Sequence, residues 1–383
     1  MSQKGDLERN VMRWLARQHR AIDRRQFLTG AAAAGMAASL PLVRARAQTM
    51  VLPEVKSIPD KLKGSGKLRV ANSGGALAEA ERKAVYGPFQ KLTGIEILET
   101  EGYAIPKIKA QVETKNIEWD TVTLGYGNSL VLLQDGDYLE PIDYSLIDAP
   151  GLPDRFRHKY SVSYFTLATV MTYRTDAFKK APASWADYWD AAQFPGPRNY
   201  MSGNQGIGVH LWPALLADGV PMDKLYPMNV PRAFKALDRI KEHIVTYWAT
   251  GAQSAQLMAD NETVLGTAWN GRISPLMARG APVGISWNGA YFGIDDHIVL
   301  KGSPNAANAM KFIAFGCIPE VQARLSLLID YGYTNTDAEK LLTPDRLKVL
   351  PSAHLSEGFF PDNIWERDNQ KMVTEAWAKW VLS

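Results

Sequence analysis

The chain has 383 residues, 46% of them hydrophobic and 22% charged, a formal net charge of +3 and a single cysteine, Cys317. One cysteine excludes an intramolecular disulfide, a Cys-x-x-Cys redox pair, a haem-attachment motif and a thiolate metal cluster. Cys317 sits in Phe315-Gly316-Cys317-Ile318, inside a helical apolar pattern, and reads as a buried small hydrophobe.

The first element in chain order is Asp23-Arg24-Arg25-Gln26-Phe27-Leu28-Thr29, followed by the small apolar run 30–43 and by Ala45-Arg46-Ala47. A long basic head, an apolar stretch too short to span a bilayer and an Ala-x-Ala site come in the order of a removable export signal, with the mature chain starting at Gln48. Paired arginines before x-Phe-Leu resemble the twin-arginine type, which predicts a periplasmic protein exported folded. A cytoplasmic protein with a basic first helix over 7–21 would leave the Ala-x-Ala unexplained. No cysteine follows the apolar run, so a lipid anchor is excluded. Without residues 1–47 the chain carries 34 Lys and Arg against 37 Asp and Glu, a net charge near −3. Nucleic-acid binding then loses its compositional support. No other apolar run reaches membrane-spanning length, so no membrane insertion is expected.

Residues 48–66, with Pro53, Pro59 and Gly64-Ser65-Gly66, read as a linker. The 336 residues after the signal exceed what one core usually organises, which predicts two lobes. A strand over 68–71, a helix over 77–92 stopped by Thr93-Gly94, a strand over 95–100, a helix over 105–114 and a strand over 120–124 give a β-α-β-α-β order. That order implies a mainly parallel sheet flanked by helices. The run 161–173 is too long for one ordinary strand and reads as a crossing between lobes. A second α/β block follows, with helices near 185–190, 209–216, 231–244 and 252–261 and strands near 264–269 and 283–287. The extended run 291–300 reads as a return crossing, and helices near 306–316, 319–328, 337–342 and 369–382 complete the chain. Lobe 1 is expected at 67–165 plus 295–342, and lobe 2 at 166–294 plus 343–383.

Ligands in open α/β sheets collect at the carboxyl ends of strands. Three loops stand there. Asn72-Ser73-Gly74-Gly75 offers glycines for close backbone approach and amides at a helix start, though a tight turn explains it equally well. Met201-Ser202-Gly203-Asn204-Gln205-Gly206 offers hydroxyl and amide groups without charge. Gly125-Tyr126-Gly127-Asn128 offers an aromatic cleft wall or a surface turn. Gly64-Ser65-Gly66-Lys67 lacks phosphate-loop spacing and precedes a strand. His158, His210, His243, His297 and His354 show no metal-ligand spacing, so no metal and no cofactor are expected. No Gly-x-Ser-x-Gly elbow is present.

Several stretches resemble one family. They are Leu68-Arg-Val-Ala-Asn-Ser-Gly-Gly75, Phe89-Gln-Lys-Leu-Thr-Gly-Ile95, Gly136-Asp-Tyr-Leu-Glu-Pro-Ile142, Pro182-Ala-Ser-Trp-Ala-Asp-Tyr-Trp189, Ala268-Trp-Asn-Gly271, Asp295 after Tyr-Phe-Gly-Ile, and Ile329-Asp-Tyr-Gly-Tyr-Thr-Asn335. In order and spacing they resemble the substrate-binding proteins of bacterial ABC importers, in the spermidine/putrescine-binding branch. The resemblance implies an α/β, two-lobed, type II-like periplasmic-binding-protein fold that traps its ligand between the lobes. It also implies that Trp269 flanks the ligand's alkyl chain and that Asp295 pairs with an ammonium, with Tyr331 lining the first-lobe side. Core or turn positions are the competing readings for these residues. Gln253, in a helix-opening segment, is a further neutral donor.

The chain departs from the polyamine pattern where further carboxylates would stand, at Ser202-Gly203-Asn204-Gln205, and where an aromatic cluster would stand, at Asn72-Ser73-Gly74-Gly75. The expected ligand therefore carries one amine and an anionic or neutral polar end, as a γ-amino acid or an opine-like conjugate does. The expected partner is an inner-membrane ABC permease, and the protein is expected to be a monomer without enzymatic activity. A periplasmic enzyme and a ligand sensor for a membrane receptor are the alternatives.

Overall fold

In the computed structural model the described residues are 51–203 and 210–383; the export segment and Asn204 lie outside them. Strand β1 (Lys67–Asn72) is followed by α1 (Gly75–Glu81), a π-helical turn over 82–86, α2 (Gly87–Thr93), β2 (Glu96–Glu101), α3 (Ile105–Glu113), β3 (Thr121–Gly125) and α4 (Tyr126–Asp135). The long strand β4 (Ser161–Arg174) leads to α5 (Trp185–Trp189), β5 (Arg198–Met201), α6 (Trp212–Ala217), α7 (Val230–Asp238), β6 (Ile244–Trp248), α8 (Gly251–Ala259), β7 (Leu265–Trp269) and α9 (Asn270–Ala278). The second long strand, β8 (Val283–Val299), precedes α10 (Ala306–Gly316), α11 (Pro319–Leu328), β9 (Gly332–Tyr333), α12 (Pro344–Leu347), β10 (Gly358–Phe359) and α13 (Asn363–Val381).

The strands form one mixed sheet in the order β2-β1-β3-β8-β4-β7-β5-β6, with β9 beside β4 and β10 beside β8. Each flank holds three mutually parallel strands, β2-β1-β3 and β7-β5-β6. Between them β4 and β8 run antiparallel to each other, β8 antiparallel to its neighbour β3 and β4 antiparallel to its neighbour β7. The carboxyl end of β8 pairs with β3, through Gly125 opposite Asp295, and the carboxyl end of β4 pairs with β7, through Thr169 opposite Trp269. These long strands are the crossings expected from the sequence. The two segments 283–287 and 291–300 are one strand, interrupted where the β4 partner jumps from Tyr291 to Ser286. The excursion contains Gly289 at φ 70, a backbone that glycine adopts without Cβ strain.

Two cores explain the two lobes. Leu68, Val70, Phe89, Phe312 and Phe315 belong to one buried cluster, and Trp185, Tyr188, Trp212, Leu237 and Trp377 to another. Fully burying each such side chain contributes roughly 1.5–3 kcal/mol. The stretch read as a linker is partly packed, because Val55, Ile58 and Leu62 are buried in the first cluster. Helix ends follow local chemistry. Gly94, at φ 82, closes α2 in the left-handed region, and Ser184 caps α5 with Asp187 in a reciprocal capping box.

Several elements differ from the sequence reading. The expected helix 231–244 ends at Asp238, and its last residue opens β6. Strand β5 was not expected, since Arg198 opens it. There the Arg198 guanidinium is fully buried and donates to the carbonyls of Tyr188, Gly196 and Phe194 at 2.9, 2.6 and 2.5 Å. Tyr126 begins helix α4 rather than standing in a loop. The last helix begins at Asn363 and not Asn369, held by Asp362, whose carboxylate accepts from the backbone amides of Ile364 and Trp365.

Candidate functional site

A cavity of about 270 Å³ lies where the ends of β3, β5 and β7 meet the middles of β4 and β8. Tyr126 and Asn128 of α4 form one wall. Trp269 at the end of β7 forms a second, and the stretch Tyr291–Asp295 of β8 lies between them. Asn363, Glu366 and Gln370 of α13 close the far side.

Asp295 is partly exposed, and among the described residues no group hydrogen-bonds its carboxylate. Desolvation pushes it up to about 7. The adjacent Asp296 points to the opposite face of β8, is fully buried and accepts from Ser161 Oγ at 2.5 Å and Ser163 Oγ at 2.9 Å. Burial also raises Asp296 to about 7, with the two serine hydroxyls working against the rise. Asp296 thus has partners within the protein, whereas Asp295 faces the cavity without one.

The other walls are held by second contacts. Tyr126 stacks on His158 with ring centroids 4.2 Å apart. Trp269 meets Trp248 edge-on at 5.7 Å, and a Cβ at Gly251 would stand 2.6 Å from the Trp269 ring, so glycine there allows α8 to start against the indole. In the Trp-Asn-Gly segment, Asn270 is buried. Its Oδ1 accepts from the Ala168 amide at 2.9 Å, and its Nδ2 donates to the Asp330 carbonyl at 2.6 Å. That bridge ties β4 to the segment carrying Tyr331. Gly271 leaves room for the Tyr331 ring, 2.9 Å from where a Cβ would stand.

Tyr331 does not line the cavity but stacks on Phe165 at 5.0 Å, directly opposite Asp295 in the β4–β8 register. Burial raises its phenol above the ordinary pKa. The Arg272 guanidinium opposes that shift and Asp295 adds to it, so Tyr331 stands near one cation and one anion. Arg272 is exposed on the first turn of α9 and makes no ion pair among the described residues. The sequence reading passed over Arg272, although it directly follows the Trp-Asn-Gly segment.

Of the expected positions, Tyr126, Trp269 and Asp295 line one cavity. Ser73 reaches it only indirectly, standing beside Tyr103, whose phenol also neighbours Asn128 and the Gly125 backbone and is raised by burial to about 12. The Gly74 amide is committed to Asn72 Oδ1 at 2.9 Å, and Gly74 and Gly75 hold φ of 71 and 60 to turn into α1. Ser202 is buried, its amide donating to the Trp248 carbonyl at 3.0 Å. Gln253 Oε1 accepts from the Ala249 amide at 2.9 Å, which makes it part of the α8 start. Glu366 is a cavity residue absent from the expected site, because its helix begins six residues earlier than the sequence suggests.

The arrangement matches known proteins throughout. Residues 84–348 match the model of bacterial extracellular solute-binding proteins, and residues 21–41 match the twin-arginine translocation pathway signal sequence. The γ-aminobutyric acid-binding protein of Pseudomonas aeruginosa is 34% identical over 297 residues, covering 76% of this chain and 83% of that protein. The spermidine/putrescine-binding periplasmic protein of Escherichia coli is 24% identical over 268 residues, covering 67% of this chain and 75% of that protein. Among solved structures, the binding protein AgtB of A. tumefaciens R10 in complex with agropinic acid superposes with a TM-score of 0.69 at 34% identity, covering 83% of this chain and 99% of that one. The signal match directs the chain to the periplasm, and among the described residues no helix is long and apolar enough to cross a membrane. The chain belongs to the bacterial extracellular solute-binding proteins, two-lobed periplasmic proteins that capture small molecules for ABC transporters.

Proposed function

We propose that the captured solute is a zwitterion whose amine pairs with Asp295 and whose carboxylate pairs with Arg272. The observation that carries this is Asp295, which lines the cavity without an ionic partner among the described residues, with the likewise unpaired Arg272 beyond it on the far side of Tyr331. A charge-assisted hydrogen bond holds each end, and the Trp269 face adds roughly 0.5–2 kcal/mol of cation–π attraction to the ammonium. The ligand named for one relative runs in the same direction, since γ-aminobutyric acid carries an ammonium and a carboxylate. A diamine would place its second ammonium against Arg272, which counts against the polyamine class of the more distant relatives.

In this reading the site binds rather than catalyses. The mature protein, beginning at Gln48, works as a monomer without a cofactor and hands its solute to an inner-membrane ABC permease. Its lobes, 67–165 plus 295–342 and 166–294 plus 343–383, move about β4 and β8. Calorimetry with γ-aminobutyrate and with putrescine tests the proposal. Binding of the amino acid in preference to the diamine supports it, and the reverse order removes it.

A further inference from the structure

The cavity extends well past the groups that would hold a short zwitterion. Tyr291, Gly293 and Asp295 alternate onto one face of β8 and all line it. At about 3.3 Å per residue, Tyr291 stands roughly 13 Å along the strand from Asp295, a longer run than a γ-amino acid covers. Gly293 places no side chain between them. Asp295 stands at one end, with Tyr331 and Arg272 beyond the lining. At the other, Tyr291 donates to Glu366 Oε2 at 3.0 Å and Tyr226 donates to Oε1 at 2.5 Å.

Glu366 belongs to a regular stripe. Asn363, Glu366, Gln370, Val373, Trp377 and Trp380 follow one another at spacings of three and four, which is one face of α13. The second half of the stripe is apolar and buried in the second core. The first half is polar, and all three of its residues line the cavity. An inward stripe is ordinarily apolar, because a buried carboxyl is costly unless hydrogen-bonded. Glu366 is 4% exposed and takes one phenol on each oxygen, which leaves further hydrogen-bonding capacity toward the cavity.

We infer that Glu366 and Gln370 form a second subsite, which takes the uncharged, hydroxyl-rich arm of a larger ligand whose amino-acid end sits at Asp295 and Arg272. The ligand class is then an amino acid N-linked to a polyhydroxylated chain, with the free short amino acid only a fragment of it. This rests on the zwitterion reading of the first subsite. Burial also raises Glu366 to about 8, which leaves it mostly neutral near pH 7, so it can donate to a hydroxyl without adding an anion to the cavity.

The test uses the full exported protein and two probes, γ-aminobutyrate and the reduced condensation product of glucose with glutamine. Wild type should bind the conjugate at least about tenfold more tightly, since two or more extra hydrogen bonds form. Glu366→Leu and Gln370→Ala should each weaken the conjugate by about fivefold or more while γ-aminobutyrate stays within about twofold. Gln370 is exposed, so its variant decides the matter if Glu366→Leu does not fold. Equal affinity for both probes in wild type, or equal weakening of both in the Gln370 variant, overturns the second subsite. Asp295→Asn separates the two readings. If it weakens both probes, the zwitterion site stands whatever the fate of the subsite. If it changes neither, the zwitterion site falls and the subsite inference falls with it.

Discussion

Lowering the pH from 8 to 5 should weaken ligand binding by about ninetyfold, because the Asp295 carboxylate must be ionised to hold an ammonium. With its pKa at about 7 in the free protein, Asp295 is about 90% ionised at pH 8 and about 1% ionised at pH 5. The ratio corresponds to about 2.7 kcal/mol. A γ-amino acid keeps both charges over this range, so the loss comes from the protein. The titratable and charged groups within electrostatic reach of Asp295 are Asp296 on the opposite face of the same strand, Glu81 of α1, Tyr103 before α3, and Tyr331 with Arg272 beyond it. The contribution of the buried carboxyls to the stability of the ligand-free protein moves the other way. Asp295 and Asp296 at about 7, and Glu81 and Glu366 at about 8, all lie above ordinary carboxyl values. Their contribution to stability is complete below about pH 4 and is lost as the pH rises through 7 to 8. Calorimetry in two buffers of different ionisation enthalpy measures both the affinity and the proton released on binding. The expected result is a slope near one log unit per pH unit below pH 6, absent in Asp295→Asn. Affinity that stays flat from pH 5 to 8 in wild type would refute the reasoning.

Three substitutions extend the account. Arg272→Gln should weaken a γ-amino acid by about tenfold or more while putrescine binding holds or improves, as titrated by calorimetry, because a charged hydrogen bond to the carboxylate is removed. Trp269→Ala should cost between about twofold and thirtyfold in affinity through loss of the aromatic face over the ammonium, read from the change in ligand-induced melting shift. Arg198→Met should destabilise the protein by at least about 3 kcal/mol in urea unfolding, since it strips buried donors from the carbonyls of Tyr188, Gly196 and Phe194.

Local rules carried much of the fold and less of the site. The helices at 306–316 and 319–328 were legible to the residue, because apolar spacing and Pro319 mark them plainly. Strand β5 was hidden because all four residues are buried and the first is an arginine, so no alternation shows. Helix α4 starts with Tyr126-Gly127-Asn128, poor helix formers that read as a turn, and α9 carries Pro275 in its interior. At the site, Asp295 and Trp269 were found by their resemblance to family positions. Glu366 was out of reach, since it arrives from the last helix through tertiary packing, and its polar character on an inward stripe looks like a solvent face until the fold is known. Gln253 looked available in the sequence, and only the structure shows its amide oxygen committed to the Ala249 amide.

The most direct test of the central claim is a competition at pH 8 between γ-aminobutyrate and putrescine for the purified protein, followed by calorimetry. A zwitterion-holding cleft predicts that the amino acid binds and that putrescine fails to displace it. Displacement of γ-aminobutyrate by equimolar putrescine would contradict the account.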